Sequence, residues 1–218
     1  MSLLALVPAP LERPLRVLAI GAHADDIEIG CSGTLLRLLA EHPGAELHYV
    51  VFSATPEREL EAQRAAAEIG ASKIEIHSFR DGYVPWADPV TVKQAMATLR
   101  ADHNPDVVFT HRREDLHQDH AFIADLTWQS FRDHLIFEYE IPKYEGDLGR
   151  PNIYVPLPEV IARRKIDLVV RHFATQSKKS WFRAETFEAV MRLRAVECNS
   201  PTGWAEGFYG RKIVFHAA

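Results

Sequence analysis

The sequence predicts an α/β protein: a mostly parallel sheet with helices on both faces, followed by a C-terminal elaboration. Three observations predict it. Short apolar runs alternate with helical patterns from residue 14 to about 135, the order that links parallel strands through crossover helices. The first run is continuously apolar rather than alternating, as a strand covered on both faces is. The two densest polar clusters follow two of the runs, where open parallel sheets bind their ligands.

The elements follow in order. Residues 15–20 form the first apolar run and end in Gly21. Leu35, Leu38 and Leu39 then recur at helical spacing until Pro43-Gly44 stops the helix. Residues 46–54 read as the second strand, and 56–69 as an Ala-, Glu- and Arg-rich helix closed by Gly70, a residue suited to the left-handed C-terminal position. A third strand is expected over 73–79. Asp88-Pro89 reads as an N-cap with proline in the first helical turn, and Val92, Ala95, Met96 and Leu99 form that helix's apolar stripe. Residues 106–110 give a fourth strand. Asp115 and Gln118, three apart, suggest a capping box opening a helix that runs through Phe131. Beyond it, strands are expected at 134–141 and 152–156, helices at about 158–173 and 184–198, and a terminal strand near 209–215.

The length of 218 residues suits a single domain, with a core at about 14–135 and an elaboration at about 136–218. At 47% hydrophobic and 25% charged, the composition excludes a collagen-like or disordered chain. No apolar run approaches a membrane span. A formal net charge of -5 argues against a nucleic-acid binder, whose affinity rests on basic side chains. Residues 1–10 lack a basic start and soon meet prolines, unlike a signal peptide. Cys31 and Cys198 make no disulfide framework, so a cytoplasmic location is expected.

The histidines stand out: there are 11, and His111, His117 and His120 fall within one ten-residue stretch after the fourth strand. His23, Asp25 and Asp26 follow the first strand. His23 and Asp26 are close enough along a turn to touch one ion, and His117 and His120 project from one face of a helix start. If the first and fourth strands are neighbours, the clusters meet. Two histidines and one carboxylate with an open fourth position is a recurring catalytic zinc arrangement, and it leaves a carboxylate and a histidine for proton transfer. Separately, each cluster has a plainer reading: an acid capping a helix, or polar residues in a first turn. Residues 30–34 match neither a GxGxxG nor a Walker A loop. Their small side chains suit close packing of helix against sheet, or space for metal and substrate.

These residues resemble a known family. His23-Ala24-Asp25-Asp26, with Gly30 to Thr34 behind it, resembles the (A)HPDD…GGT signature of the PIG-L / LmbE-like deacetylases, and His117-Gln118-Asp119-His120 resembles their HxDH motif. Arg58 to Gly70 looks like the family's R..E…A…LG helix, and Arg80-Asp81-Gly82 like its loop after the third strand. Ala24 replaces the motif proline and Ser32 a motif glycine, which touches loop rigidity and pocket shape but no ligand. The resemblance implies a Rossmann-like fold and a metal-dependent N-deacetylase that hydrolyses an N-acetylated sugar or sugar conjugate, such as an N-acetylglucosamine derivative. It implies Zn2+, or another divalent cation, on His23, Asp26 and His120. Asp25 would be the general base, His117 the oxyanion stabiliser or amine acid, and Asp119 the carboxylate that orients a neighbouring histidine. Arg58, Arg80 and Asp81 are the implied substrate contacts. Glu140, Lys143 and Tyr144 belong to the later region that could wall the pocket; Trp181, Trp204 and Tyr209 could stack on a sugar ring, but buried packing is the role expected of them. The partner expected is a small N-acetylated molecule, with no nucleic acid and no membrane span, and a homo-oligomer is compatible with the sequence. The competing readings are a Rossmann-like nucleotide or sugar-nucleotide binding module without hydrolysis, and a metal amidase acting on a non-sugar amide.

Overall fold

A computed structural model describes residues 13–213. Its seven strands form one sheet, in chain order β1 (Arg16–His23), β2 (Glu46–Ser53), β3 (Lys73–Ile76), β4 (Val107–His111), β5 (Leu135–Tyr139), β6 (Ile153–Pro156) and β7 (Ala205–Tyr209). Across the sheet the order is β3-β2-β1-β4-β5-β7-β6. The first five strands are parallel, β7 runs antiparallel to β5, and β6 runs antiparallel to β7. The strand order reverses between β1 and β4, which pair directly, Val17 opposite Val107 and Ala19 opposite Phe109. This makes the fold Rossmann-like, with a topological switch point between β1 and β4.

The helices are α1 (Asp26–Glu41), α2 (Pro56–Ile69), α3 (Val84–Ala87), α4 (Pro89–Asp102), α5 (Gln118–Ser130), α6 (Glu159–His172) and α7 (Ala184–Glu197). Successive strand residues face opposite sides. Val17 and Ala19 therefore join the core under α1, α2, α6 and α7, whereas Leu18 and Ile20 join Met96, Leu99, Ile123 and Leu126 under α4 and α5. Two-sided burial is why the first run is apolar throughout. Among the described residues, no helix is long and apolar enough to cross a membrane.

Helix α1 lies deepest, and its small residues explain how. A Cβ at Gly30 would enter the Tyr139 ring, and one at Gly33 would sit 2.6 Å from Leu157 Cδ1 and 2.8 Å from Glu206 Oε1. The Gly30–Thr34 stretch thus makes room for protein, as expected of close packing. Glu206 on β7 accepts hydrogen bonds from Gly33 N–H (3.0 Å) and Thr34 N–H (2.7 Å), and pairs at 2.5 Å with Lys165 of α6, whose ammonium also reaches Ile29 O.

Some local expectations change. The last strand is Ala205–Tyr209 rather than 209–215; residues 211–213 are not strand, and 214–215 lie outside the described residues, as do residues 1–10. Glu206 and Gly207 spoil the apolar pattern of β7, because Glu206 is buried against Lys165 and not against hydrocarbon. The third strand stops at Ile76, with only an isolated bridge from Ser53 to Ser78 beyond it. The capping box of Asp115 and Gln118 does not form. His117 is the N-cap, its Nδ1 accepting from Asp119 N–H, while Gln118 donates to Gly82 O. The expected cap at Asp88 is present, accepting from Thr91 N–H at 3.0 Å.

Candidate active site

The loop after β1 and the loop between β4 and α5 leave adjacent strands at the switch point, so the two polar clusters meet. His23 is the last residue of β1 and Asp26 the first of α1. Asp25 joins them with φ 120°, a backbone region that costs a residue with a side chain. His120 lies in the first turn of α5. His23 Nδ1 lies 3.1 Å from His120 Nε2, and Asp26 lies 3.4 Å from the former through Oδ2 and 3.5 Å from the latter through Oδ1. All three side chains are buried.

The protons on these rings follow from their other contacts. His23 Nε2 faces two carboxylates, Asp119 Oδ2 at 3.0 Å and Asp81 Oδ1 at 3.2 Å, which places its proton there and leaves Nδ1 a lone pair. His120 Nδ1 faces Asp115 Oδ2 at 3.1 Å, which leaves Nε2 a lone pair as well. With His23 in its neutral form, two lone pairs and a carboxylate converge there, a donor set able to hold a cation. The 3.1 Å between the two ring nitrogens is close to the separation of about 3.3 Å between ligand atoms on a tetrahedron with zinc-like bonds of about 2.0–2.1 Å, and Asp26 approaches each nitrogen through a different oxygen.

Without a cation, burial opposes the imidazolium of His23, but Asp119, Asp26 and Asp81 outweigh it and raise its pKa, so a cation at Nδ1 would take the place of a second ring proton. Burial, with the His111 ring alongside, pushes His120 down to about 3, so its ring is neutral. Burial also works against the Asp26 carboxylate, yet His120, His111 and His23 hold it well below the usual range.

Around this centre is a cleft of about 220 Å³ lined by His23, Asp25, Asp26, Arg58, Asp81, His117, His120 and residues of the later chain, among them Lys143, Tyr144, Lys179 and Trp181. Burial pushes Asp25 up to about 6 against the pull of Arg58. Arg58 donates to Asp25 Oδ1 at 2.6 Å and also to Ala24 O, so its guanidinium is committed to the loop that carries Asp25. The His117 ring lies 5.0 Å from that of His23 and 4.5 Å from that of His120. Because its Nδ1 accepts a backbone N–H, the donor of its neutral ring is Nε2. Asp119 is fully buried, holds His23, and accepts from the N–H groups of Gly82 and Val84.

Of the residues expected in the site, Arg80 is not brought to the cleft; its guanidinium stacks 4.2 Å over the Tyr83 ring. Glu140 also turns away, to Arg194 and Tyr209. Asp115 is the residue that sequence reasoning assigned elsewhere. It accepts from His117 N–H and holds both His120 and Lys143, the latter at 2.9 Å. A carboxylate three residues before a helix start reads as a cap, and only the position of Lys143 and His120 around it reveals the other use. Lys179 carried no signal at all.

Fold and cleft together define a Rossmann-like protein with a buried histidine–aspartate centre, able to hold a cation, at its switch point. The PIG-L pattern, described as GlcNAc-PI de-N-acetylase, matches residues 18–131. The chain belongs to this family. Among solved structures it resembles the conserved protein TT1542 from Thermus thermophilus, at 23% identity over 93% of this chain and 97% of that one, with a TM-score of 0.74. It also resembles the N,N'-diacetylchitobiose deacetylase from Pyrococcus horikoshii, at 20% identity over 90% and 83% of the two chains, TM-score 0.68. A third similar fold is GalB, the 4-carboxy-2-hydroxymuconate hydratase from Pseudomonas putida, at 18% identity over 94% and 100%, TM-score 0.71.

Proposed function

We propose that this protein is a zinc-dependent N-deacetylase that removes the acetyl group from an N-acetylated sugar or sugar conjugate, of which an N-acetylglucosamine derivative is the leading case. The observation that carries the reading is the convergence of His23 Nδ1, His120 Nε2 and the Asp26 carboxylate at the floor of the cleft, with Asp25 and His117 beside them. Membership of the PIG-L family supports it, as do deacetylases among the proteins of similar fold. His23, Asp26 and His120 would hold the Zn2+, which when bound supplies Lewis-acid polarisation of the amide and an acidified water.

The chain's own residues supply the rest. Asp25 takes the proton from the attacking water through its second oxygen, Oδ2, because Arg58 occupies Oδ1. Arg58 thereby fixes the direction of the base. As charge builds on the acyl oxygen, the His117 Nε2–H donates a hydrogen bond to it, and the proton that Asp25 took from the water passes to the departing amine. The products are acetate and the free amino sugar. Asp81, Tyr144 and Trp181 stand along the cleft wall, where hydroxyl groups and a ring face of the sugar would contact them. We read the chain as a single domain, since β6 and β7 complete the same sheet, and a cytoplasmic location accords with its two free cysteines.

Acetate release from a panel of N-acetyl sugars and conjugates, with and without a chelator, tests the proposal. Asp25→Ala should keep the metal and lose at least about 100-fold in turnover, whereas His120→Ala should lose the metal. Wild-type turnover in Asp25→Ala refutes the role of Asp25. A protein that binds nucleotides without metal and releases no acetate is a binding module instead.

A further inference from the structure

His23 and His120 are each held through their outer ring nitrogen by a carboxylate, Asp119 and Asp115. The third member of the centre, Asp26, needs a holder of its own. The His23 N–H donates to its Oδ2 at 2.6 Å, and beside that oxygen, 3.1 Å away, lies Nε2 of His111. His111 is the last residue of β4 and is wholly buried. Its Nε2 accepts the Ala22 N–H at 2.9 Å, so consecutive backbone N–H groups of the first loop grip His111 and Asp26 side by side. The Tyr139 hydroxyl, which donates to Ile20 O, closes the other side at 3.3 Å. The flat of the ring stacks on His120, centroids 4.0 Å apart and planes 17° apart.

From this geometry we infer that His111 is a positioning residue for the metal centre. It ties the end of β1, whose loop carries Asp26, to β4 through Ala22, and backs the His120 ring so that its Nε2 stays aimed inward. The inference rests on the proposed metal site. His111 is not a fourth ligand, because the Ala22 N–H occupies the lone pair that faces the centre. Its chemical demand is an acceptor for Ala22 N–H at the end of a side chain of this reach, together with a flat surface against His120. Glutamine meets the first demand, since its amide oxygen can accept from Ala22. Phenylalanine meets only the second, and asparagine falls short of Ala22.

The test measures metal binding directly, by competition of Zn2+ against a chromogenic chelator, in wild type, H111F, H111N and H111Q. H111F and H111N should bind Zn2+ about 10–100-fold more weakly, the usual cost of removing a group that orients a metal ligand. H111Q should stay within a few-fold of wild type. The visible bands of the Co2+-loaded protein should shift in H111F and return toward wild type in H111Q, a change that mere loss of stability does not produce. Circular dichroism of the metal-free variants checks folding, and H111N serves if H111F does not fold. Wild-type affinity in both H111F and H111N overturns the inference, and loss of metal from H111Q equal to that from H120A makes His111 a ligand and overturns it too. A wild-type chain that takes up no Zn2+ overturns the proposed function as well, so the two failures are distinguishable.

Discussion

Replacing Lys165 by methionine should destabilise the protein severely without touching the active site. Lys165 and Glu206 are each about 3% exposed and pair at 2.5 Å between α6 and β7. Removing the ammonium leaves a buried carboxylate with the two backbone N–H groups of Gly33 and Thr34 and the Thr34 hydroxyl as its remaining partners. Breaking a buried pair from one side costs about 3–5 kcal/mol. The three surviving donors put this case near the lower end. For a chain of this size, about 3 kcal/mol corresponds to a fall of roughly 6–12 °C in melting temperature. The double variant Lys165→Met/Glu206→Gln should recover most of that loss, because the amide oxygen still accepts from α1 and no unpaired charge remains. Differential scanning calorimetry of the single and double variants measures both. A Lys165→Met melting point shifted no more than that of an exposed lysine control would refute the reasoning, as would a double variant less stable than the single one.

Other consequences are as concrete. Asp115→Asn turns an amide toward His120 Nδ1 and favours the other ring tautomer, so Zn2+ affinity should fall about 10–100-fold, read by the same chelator competition. The acid sensitivity of the fold should depend on His48, at the far end of β2 from the cleft. Its ring is buried, neither nitrogen makes a hydrogen bond, and burial followed by the charges of His103 and Lys73 pushes its pKa down to about 3. The unfolded chain protonates this side chain near its ordinary value of about 6.5. Stability is therefore lost as the pH falls below that value and continues to fall toward about 3. The gap between urea midpoints at two pH values across this window should narrow in His48→Phe, with His120 supplying part of what remains, and an unchanged pH dependence would remove His48 as a cause.

Much of the architecture was legible because its signals are local. The apolar run of β1, the stop at Pro43-Gly44, the cap at Asp88 and the left-handed Gly70 each follow from a few adjacent residues. So did the two clusters, since a histidine or aspartate after a strand needs no distant information to be noticed. The shape of α1 was half legible. Small residues at 30 and 33 announced a close approach, but the approaching groups, Tyr139, Leu157 and Glu206, are more than a hundred residues away.

The same divide runs through the site. The chain's local chemistry set which residue types stand at the ends of β1 and β4, and hence the donors available to a cation. Whether those ends adjoin depends on strand order, a property of the packed sheet. The second partner of each ionisable group depends on it as well. Asp115 reads locally as a helix cap, yet holds His120; the family resemblance implies Arg58 as a substrate contact, yet it holds Asp25; Glu206 falls before the strand expected at 209–215, yet pairs with Lys165 inside the core. A buried charge or hydrogen-bonding group must find a partner wherever the fold supplies one. In this protein those partners come from other strands and helices, so periodicity and spacing identified the actors, and only the folded sheet assigned their roles.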